Sequence, residues 1–201
     1  MTKIITFANH KGGVGKTTSA VSIGAGFAKK GKKVLLIDLD AQANLTASLS
    51  SVNFDETDER TVYEAMLERK NIPVYNVAEN LDIVPASLML SNADMQLINA
   101  ISRETILKDL IAPVKSRYDY ILIDCPPSLG IMTMNAFVAS TDIIIPLTME
   151  TLPVKDTHTR ISFILQGGFA EASQLDCGVE FLKKLPSYLG LSYGGTLIKG
   201  D

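Results

Sequence analysis

The chain has 201 residues, of which 46% are hydrophobic and 20% charged, with a formal net charge of −3. These values predict one globular domain with a buried core, and they argue against a domain that binds nucleic acid through an overall positive charge. No run approaches the roughly 18 apolar residues of a membrane span, no basic leader precedes the first apolar run, and two cysteines are too few for a disulfide framework. We therefore expect a cytoplasmic protein without a membrane partner.

Five short segments rich in Ile, Val and Leu predict buried strands, because each is apolar on both faces, as parallel strands covered by helices are. In chain order they are Lys3 to Ala8, Lys33 to Leu39, Leu81 to Pro85, Tyr118 to Ile123 and Asp142 to Pro146.

Helical spacing of apolar residues lies between the predicted strands. It predicts a helix from Lys16 to Lys30 that ends at Gly31, and a second from Arg103 to Arg117 that Pro113 should kink or restart. Strands that alternate with helices predict an α/β fold, with a doubly wound, mainly parallel sheet flanked by helices. Ligands in this architecture bind at the carboxyl ends of the strands.

A glycine-rich segment joins the first predicted strand to the first predicted helix, and it reads Lys11-Gly12-Gly13-Val14-Gly15-Lys16-Thr17-Thr18. Glycines let backbone N–H groups approach phosphate oxygens, and the helix adds its positive N-terminal end. In a P-loop of this kind, Lys16 holds the β- and γ-phosphates and the Thr17 hydroxyl binds Mg²⁺. The alternative, a turn that merely joins strand to helix, is disfavoured by the Gly-Lys-Thr ending. The segment therefore predicts a site for ATP and Mg²⁺.

One departure makes this loop recognisable. His10 stands where the ordinary pattern has glycine, five residues before Gly15, and a second lysine, Lys11, follows it. The segment resembles the deviant Walker A motif of the ParA/MinD family of P-loop ATPases. The resemblance implies that Lys11 crosses to the partner subunit's nucleotide in an ATP-sandwich dimer, and a simple surface lysine is the alternative.

Two aspartates, Asp38 and Asp40, end the second predicted strand. Their spacing places both on one side of an extended chain, where one can orient water while another polarises the Mg²⁺ shell. The segment is similar to the family's Asp-x-Asp-Pro-Gln switch I region, with Ala41 in place of proline. The resemblance implies that Asp40 positions the attacking water and belongs to the Mg²⁺ site with Thr17, and that Asp38 supports it. Loop capping by the pair is the alternative.

A third aspartate, Asp124, ends the fourth predicted strand. An apolar strand with a terminal carboxylate is typical of a Walker B motif, whose aspartate reaches Mg²⁺ through a water molecule. The Pro-Pro-Ser-Leu-Gly that begins at Pro126 resembles the family's switch II. An ordinary aspartate cap at a strand end is the alternative for Asp124.

The resemblance covers residues 2 to about 165 and fades beyond Gln166. We therefore expect residues 1–165 to form the P-loop ATPase core and residues 166–201 to be a divergent C-terminal segment, in the same domain or incomplete. That segment contains a helix-like stretch from Asp176 to Leu189. A polar, acidic stretch from Ser48 to Arg60 predicts a surface loop.

The resemblance implies an ATP-binding and ATP-hydrolysing dimerisation switch for partitioning plasmid or chromosomal DNA. Its implied partners are a second copy of the chain and a DNA-bound ParB-like adaptor that stimulates slow hydrolysis, with nonspecific DNA and the nucleoid as further expectations. A nucleotide-binding module without turnover is the alternative, and a P-loop ligase or kinase for a small metabolite is a third. MinD-like membrane cycling is disfavoured, because the sequence ends without a basic amphipathic helix.

Overall fold

The structure is a computed structural model that describes residues 2–49, 60–147, 161–166 and 193–199. Its strands are β1 Lys3–Phe7, β2 Val34–Asp38, β3 Tyr75–Ala78, β4 Leu81–Val84, β5 Tyr120–Asp124, β6 Asp142–Ile144, β7 Ile161–Gln166 and β8 Tyr193–Lys199. Its α-helices are α1 Lys16–Lys29, α2 Asn44–Ser48, α3 Val62–Glu68, α4 Ala93–Leu97, α5 Ile106–Ile111 and α6 Ile131–Ala139. Short 3₁₀ helices span Leu88–Asn92 and Lys115–Arg117.

The described strands form one sheet in the order β3-β4-β2-β5-β1-β6-β7-β8. Every neighbouring pair is parallel except β3 with β4, which is antiparallel. The chain leaves β1 toward one edge of the sheet, to reach β2, and leaves β5 toward the other edge, to reach β6. This confirms the doubly wound, mainly parallel sheet. A reversal of this kind opens a ligand crevice at the carboxyl ends of the central strands.

Helices cover both faces of the sheet, and alternate strand residues point to each face. Leu36 of β2 and Leu122 of β5 pack with α1 on one face, whereas Ile37 and Ile123 pack with the side of the sheet that α3 to α6 cover. Helix α1 lies very close to β2, since a Cβ added at Gly24 would come within 2.8 Å of a Leu36 methyl carbon. By the same alternation, the residues that end β2 and β5 point toward α1.

The five predicted strands are confirmed, with ends that differ from the prediction by at most two residues. Helix α1 ends at Lys29, and Gly31 takes the left-handed conformation (φ +75°) expected just after a helix. The second predicted helix is much shorter than expected, because α5 stops at Ile111 and a 3₁₀ turn follows Pro113. The predicted break at that proline is therefore correct.

Several elements were not predicted. Strand β3 alternates between half-buried and exposed residues, unlike strands covered on both faces, and β8 carries two adjacent glycines, which are poor strand formers. Ser48 belongs to α2 and not to a loop. The rest of the predicted loop, apart from Leu49 and Arg60, and the helix predicted from Asp176 to Leu189 lie outside the described residues. No helix within the described ranges is long and apolar enough to span a bilayer.

Candidate nucleotide-binding site

The glycine-rich loop leaves the carboxyl end of β1 and turns into α1. Gly13 (φ +72°) and Gly15 (φ +87°) adopt left-handed backbone conformations that other residues resist. A Cβ added at Gly12 or Gly13 would meet no atom within 4 Å, so the space beside the loop is open. The N-cap residue of α1 is Gly15, which has no side chain to bond the first N–H groups of the helix. Its first N–H groups can therefore bind an anion, as a phosphate loop requires.

Asn9 anchors the start of this loop, and the sequence analysis missed it. Its amide nitrogen donates to the carbonyl oxygen of Pro146 at 2.6 Å, which ties the loop to the segment after β6. Its side-chain oxygen accepts from the Lys11 N–H at 2.9 Å. A short amide side chain that bonds the backbone two residues onward is a recognised turn signal. An asparagine immediately before the loop could thus have been identified from the sequence.

The two lysines of the loop differ in exposure. Lys16 is only 8% exposed, and its Nζ donates to the backbone carbonyl of Lys11 at 3.3 Å, so the ammonium lies inside the curve of the loop. Lys11, by contrast, has an exposed side chain, as has Thr18. Lys16 is therefore placed to contact phosphates bound by its own loop, whereas the Lys11 side chain lies at the surface.

Asp124 meets the loop from the end of β5. The Thr17 hydroxyl donates to its Oδ2 at 2.5 Å. The aspartate is 1% exposed, and among the described residues its Oδ1 is buried without a hydrogen-bond partner. Burial raises the pKa of Asp124 to about 7, opposed by the Thr17 hydrogen bond and the Lys16 charge and reinforced by the charges of Asp38 and Asp40. A buried carboxylate with an orphaned oxygen calls for a cation.

These residues fit Mg²⁺. The ion takes oxygen ligands, retains several waters, and is commonly held by one or two carboxylates together with substrate phosphates. Asp124 Oδ1 and the Thr17 hydroxyl would supply the protein's oxygens beside the phosphate loop. No three His, Cys, Asp or Glu side chains cluster as metal ligands in the described part of the chain.

Asp38 and Asp40 differ in environment although they are two residues apart. Asp38 is fully buried, and burial raises its pKa despite hydrogen bonds from Thr46 and from the Asp40 backbone. The sequence predicted that strand periodicity would place Asp40 on the same side as Asp38. However, β2 ends at Asp38, and the position of Asp40 is set by a turn in which its N–H donates to the Asp38 carboxylate. Asp40 is partly exposed, and its Oδ1 accepts from the Gln42 N–H at 3.0 Å. The structure thus brings Lys16, Thr17 and the three aspartates to one end of the sheet.

Comparison with known proteins adds to this geometry. A family model described as an AAA domain matches residues 2–166. The sporulation initiation inhibitor protein Soj of Bacillus subtilis is 46% identical over 153 residues, which are 75% of this chain and 60% of that protein. The chromosome-partitioning ATPase Soj of Treponema pallidum is 44% identical over 157 residues, which are 75% of this chain and 58% of that protein. The chain therefore spans less than two thirds of either relative.

A solved structure also resembles the chain. Cobyrinic acid a,c-diamide synthase from Mycobacterium smegmatis, with bound ADP and magnesium, superposes with a TM-score of 0.72 at 32% identity. The match covers 98% of this chain and 74% of that protein. The nucleotide and metal in that structure are the two ligands that the loop and Asp124 fit here.

Proposed function

We propose that this chain, which belongs to the AAA domain family as a ParA/MinD-like P-loop ATPase, is an ATP-binding and ATP-hydrolysing dimerisation switch for partitioning plasmid or chromosomal DNA. The observation that carries the proposal is the contact between Thr17 and the buried Asp124, whose second oxygen has no hydrogen-bond partner among the described residues, beside an open phosphate loop. The relatives matched over this region include a protein named as a chromosome-partitioning ATPase.

The proposed chemistry is the hydrolysis of the terminal phosphate of ATP. A water oxygen forms a bond to the γ-phosphorus while the bond to the bridging oxygen breaks, and most of the catalysis lies in positioning and charge neutralisation. Residues 11–18 would bind the phosphates, with Lys16 neutralising the charge that develops. Thr17 and Asp124 would hold Mg²⁺, with Asp40 close to it, and Mg²⁺ would polarise the phosphate oxygens. Asp40 would orient the water, supported by Asp38.

Two features favour a dimer of identical chains. The Lys11 side chain is exposed at the start of the loop, and a residue that serves a partner's nucleotide must be accessible. Large apolar side chains are also exposed beyond the carboxyl ends of β4 and β5, the two strands that flank β2, with Leu88 after β4 71% exposed and Leu129 after β5 68% exposed. Exposed apolar groups of this size favour a protein interface. A second copy that closes over the carboxyl ends of the strands would bury these leucines and bring Lys11 to the other active site.

The proposal extends to partners and location. A DNA-bound ParB-like adaptor would stimulate slow intrinsic hydrolysis, and the dimer would bind DNA without sequence preference. The protein would then act in the cytoplasm and at the nucleoid, without a membrane partner. Residues 1–165 would form the ATPase core, with residues 166–201 as a divergent segment.

Phosphate release tests the catalytic part of the proposal. With saturating ATP and Mg²⁺, the wild-type chain should release phosphate, whereas Lys16→Ala should bind no ATP, because the loop loses its phosphate-binding charge. Lys11→Ala should still bind ATP but remain monomeric in gel filtration with light scattering, where the wild type forms dimers with ATP and not with ADP. Wild-type release no greater than that of Lys16→Ala would favour a binding module without turnover. Release that requires an added acceptor metabolite would favour a ligase or kinase.

A further inference from the structure

The carboxylate of Asp38 organises the segment that follows it. Its Oδ1 accepts from the Asp40 N–H at 3.1 Å. Its Oδ2 accepts from the Thr46 N–H at 2.9 Å and from the Thr46 hydroxyl at 2.7 Å. Because Asp38 is fully buried, these hydrogen bonds form away from water and are stronger than exposed ones. Residues 38–46 are therefore folded back onto the end of β2.

The Thr46 hydroxyl is held from a second direction. It accepts from the Ala86 N–H at 3.0 Å, just beyond the end of β4, the parallel neighbour of β2. A hydroxyl has one proton to donate, and Thr46 donates it to Asp38. A lone pair of the same oxygen accepts the hydrogen bond from the Ala86 N–H. Thr46 thus connects two segments that leave adjacent strands, and its orientation is determined by both.

Asp40 lies inside the loop that these hydrogen bonds close. The Ala43 N–H donates to the Asp40 carbonyl at 2.9 Å, and the Gln42 N–H donates to its side chain. Its own N–H is held by Asp38, the residue that Thr46 holds. A displacement of the Asp38 carboxylate would therefore move Asp40.

We infer that Thr46 is a positioning residue for ATP hydrolysis, whose hydroxyl holds Asp38 and through it the water-orienting Asp40. The inference rests on the proposed function, since it assigns a role within that reaction. Within the described part of the chain, the Thr46 hydroxyl bonds Asp38 and Ala86 and no residue of the phosphate loop. Loss of the hydroxyl should therefore slow the chemical step and leave ATP binding unchanged.

Steady-state kinetics of two Thr46 variants test this role. Thr46→Val removes the hydroxyl at nearly constant volume, and kcat should fall about tenfold or more, the rate equivalent of one hydrogen bond to a charged group. Its Kd for ATP, measured by calorimetry, should stay within about twofold of the wild type, because transition-state positioning and ground-state binding are separable. Thr46→Ser keeps the hydroxyl and should restore kcat.

The matched control is Ser48→Ala on the same helix. Among the residues that the structure describes, the Ser48 hydroxyl donates to the carbonyl of Asn44, within α2 and at the surface, so its loss should change neither kcat nor Kd. Amide hydrogen exchange supplies a direct readout of position. Thr46→Val should speed exchange at Asp40, Gln42 and Ala43, whose N–H groups bond within this loop, and Ser48→Ala should not.

Each outcome decides the inference. Wild-type kcat in Thr46→Val overturns it, as does a loss of kcat that Thr46→Ser fails to restore, or one without faster exchange at Asp40. If Thr46→Val does not fold, Thr46→Ala is measured in the same way, since it also lacks the hydroxyl. A wild-type chain that hydrolyses no ATP overturns the proposed function and this role together, whereas normal hydrolysis in both the wild type and Thr46→Val overturns the role alone.

Discussion

Strands β2 and β5 each end in an aspartate at the same level of the sheet, but the two aspartates have different hydrogen-bond partners. Asp38 and Asp124 are directly paired between the two parallel strands, both are buried, and burial raises the pKa of both. Asp38 accepts three hydrogen bonds from the segment that follows it. Within the described part of the chain, Asp124 accepts one hydrogen bond, from Thr17, and its Oδ1 has no partner.

The residue two positions after each aspartate explains much of this difference. After Asp38 it is Asp40, whose N–H turns back to the carboxylate. After Asp124 it is Pro126, which has no N–H to donate, and Pro127 follows it. The chain after β5 therefore cannot satisfy its own carboxylate in the way the chain after β2 does. A satisfied aspartate shapes a loop, whereas an unsatisfied one is available to a cation.

The largest effect should come from removing the unsatisfied charge. Asp124→Asn keeps the shape of the side chain and its contact with Thr17 but loses the negative charge that Mg²⁺ requires. We expect Mg²⁺-dependent phosphate release to fall about hundredfold or more, as for loss of a group that stabilises transition-state charge. The measurement is phosphate release across a Mg²⁺ titration. Asp119→Asn, at an exposed position before β5, is the control and should behave as the wild type.

Removing one acceptor oxygen from the satisfied carboxylate of Asp38 should instead destabilise the fold. Asn at position 38 presents only one oxygen, so its NH₂ group would face a backbone N–H or the Thr46 hydroxyl. We expect Asp38→Asn to lower the free energy of unfolding by about 1–3 kcal/mol, the cost of leaving a buried N–H or hydroxyl donor without an acceptor. Urea denaturation measures this. A variant as stable as the wild type would contradict the structural role assigned to Asp38.

The third effect depends on pH. Because the pKa of Asp124 rises from 3.8 to about 7 on folding, the folded chain binds more protons than the unfolded chain between these values. Its stability therefore falls as pH rises from about 4 to 7, by at most about 1.4 kcal/mol per pH unit from this group. Asp124→Asn should reduce the dependence of the free energy of unfolding on pH, and at pH 8 it should be more stable than the wild type. The measurement is urea denaturation in the presence of a chelator, so that no metal ion is bound.

The pKa of Asp38 is also raised, which lowers stability as pH rises in the same way. Some dependence of stability on pH should therefore remain in Asp124→Asn. The comparison of the two strand ends would fail if that variant kept the full wild-type slope. It would also fail if Asp124→Asn were less stable than the wild type at pH 8.

Much of the fold was predictable because its signals are local. Runs of apolar residues located the strands of the central sheet, and the break at Pro113 follows from the missing N–H of proline. Strand β3 was missed because an antiparallel edge strand lacks the apolar run used to find the others. Thr46 was missed because a threonine shortly after a strand has no distinctive pattern until its partners are known.

The sequence by itself determined the phosphate loop, the aspartate at each strand end and the prolines after β5, because glycine spacing, terminal carboxylates and missing N–H groups are properties of adjacent residues. Only the tertiary structure decided what each aspartate contacts. Thr17 reaches Asp124 across 107 positions, and Ala86 reaches Thr46 across 40. Burial of the strand ends under α1 makes those contacts consequential, since a carboxylate removed from water must find its partners within the folded chain or in a bound cation.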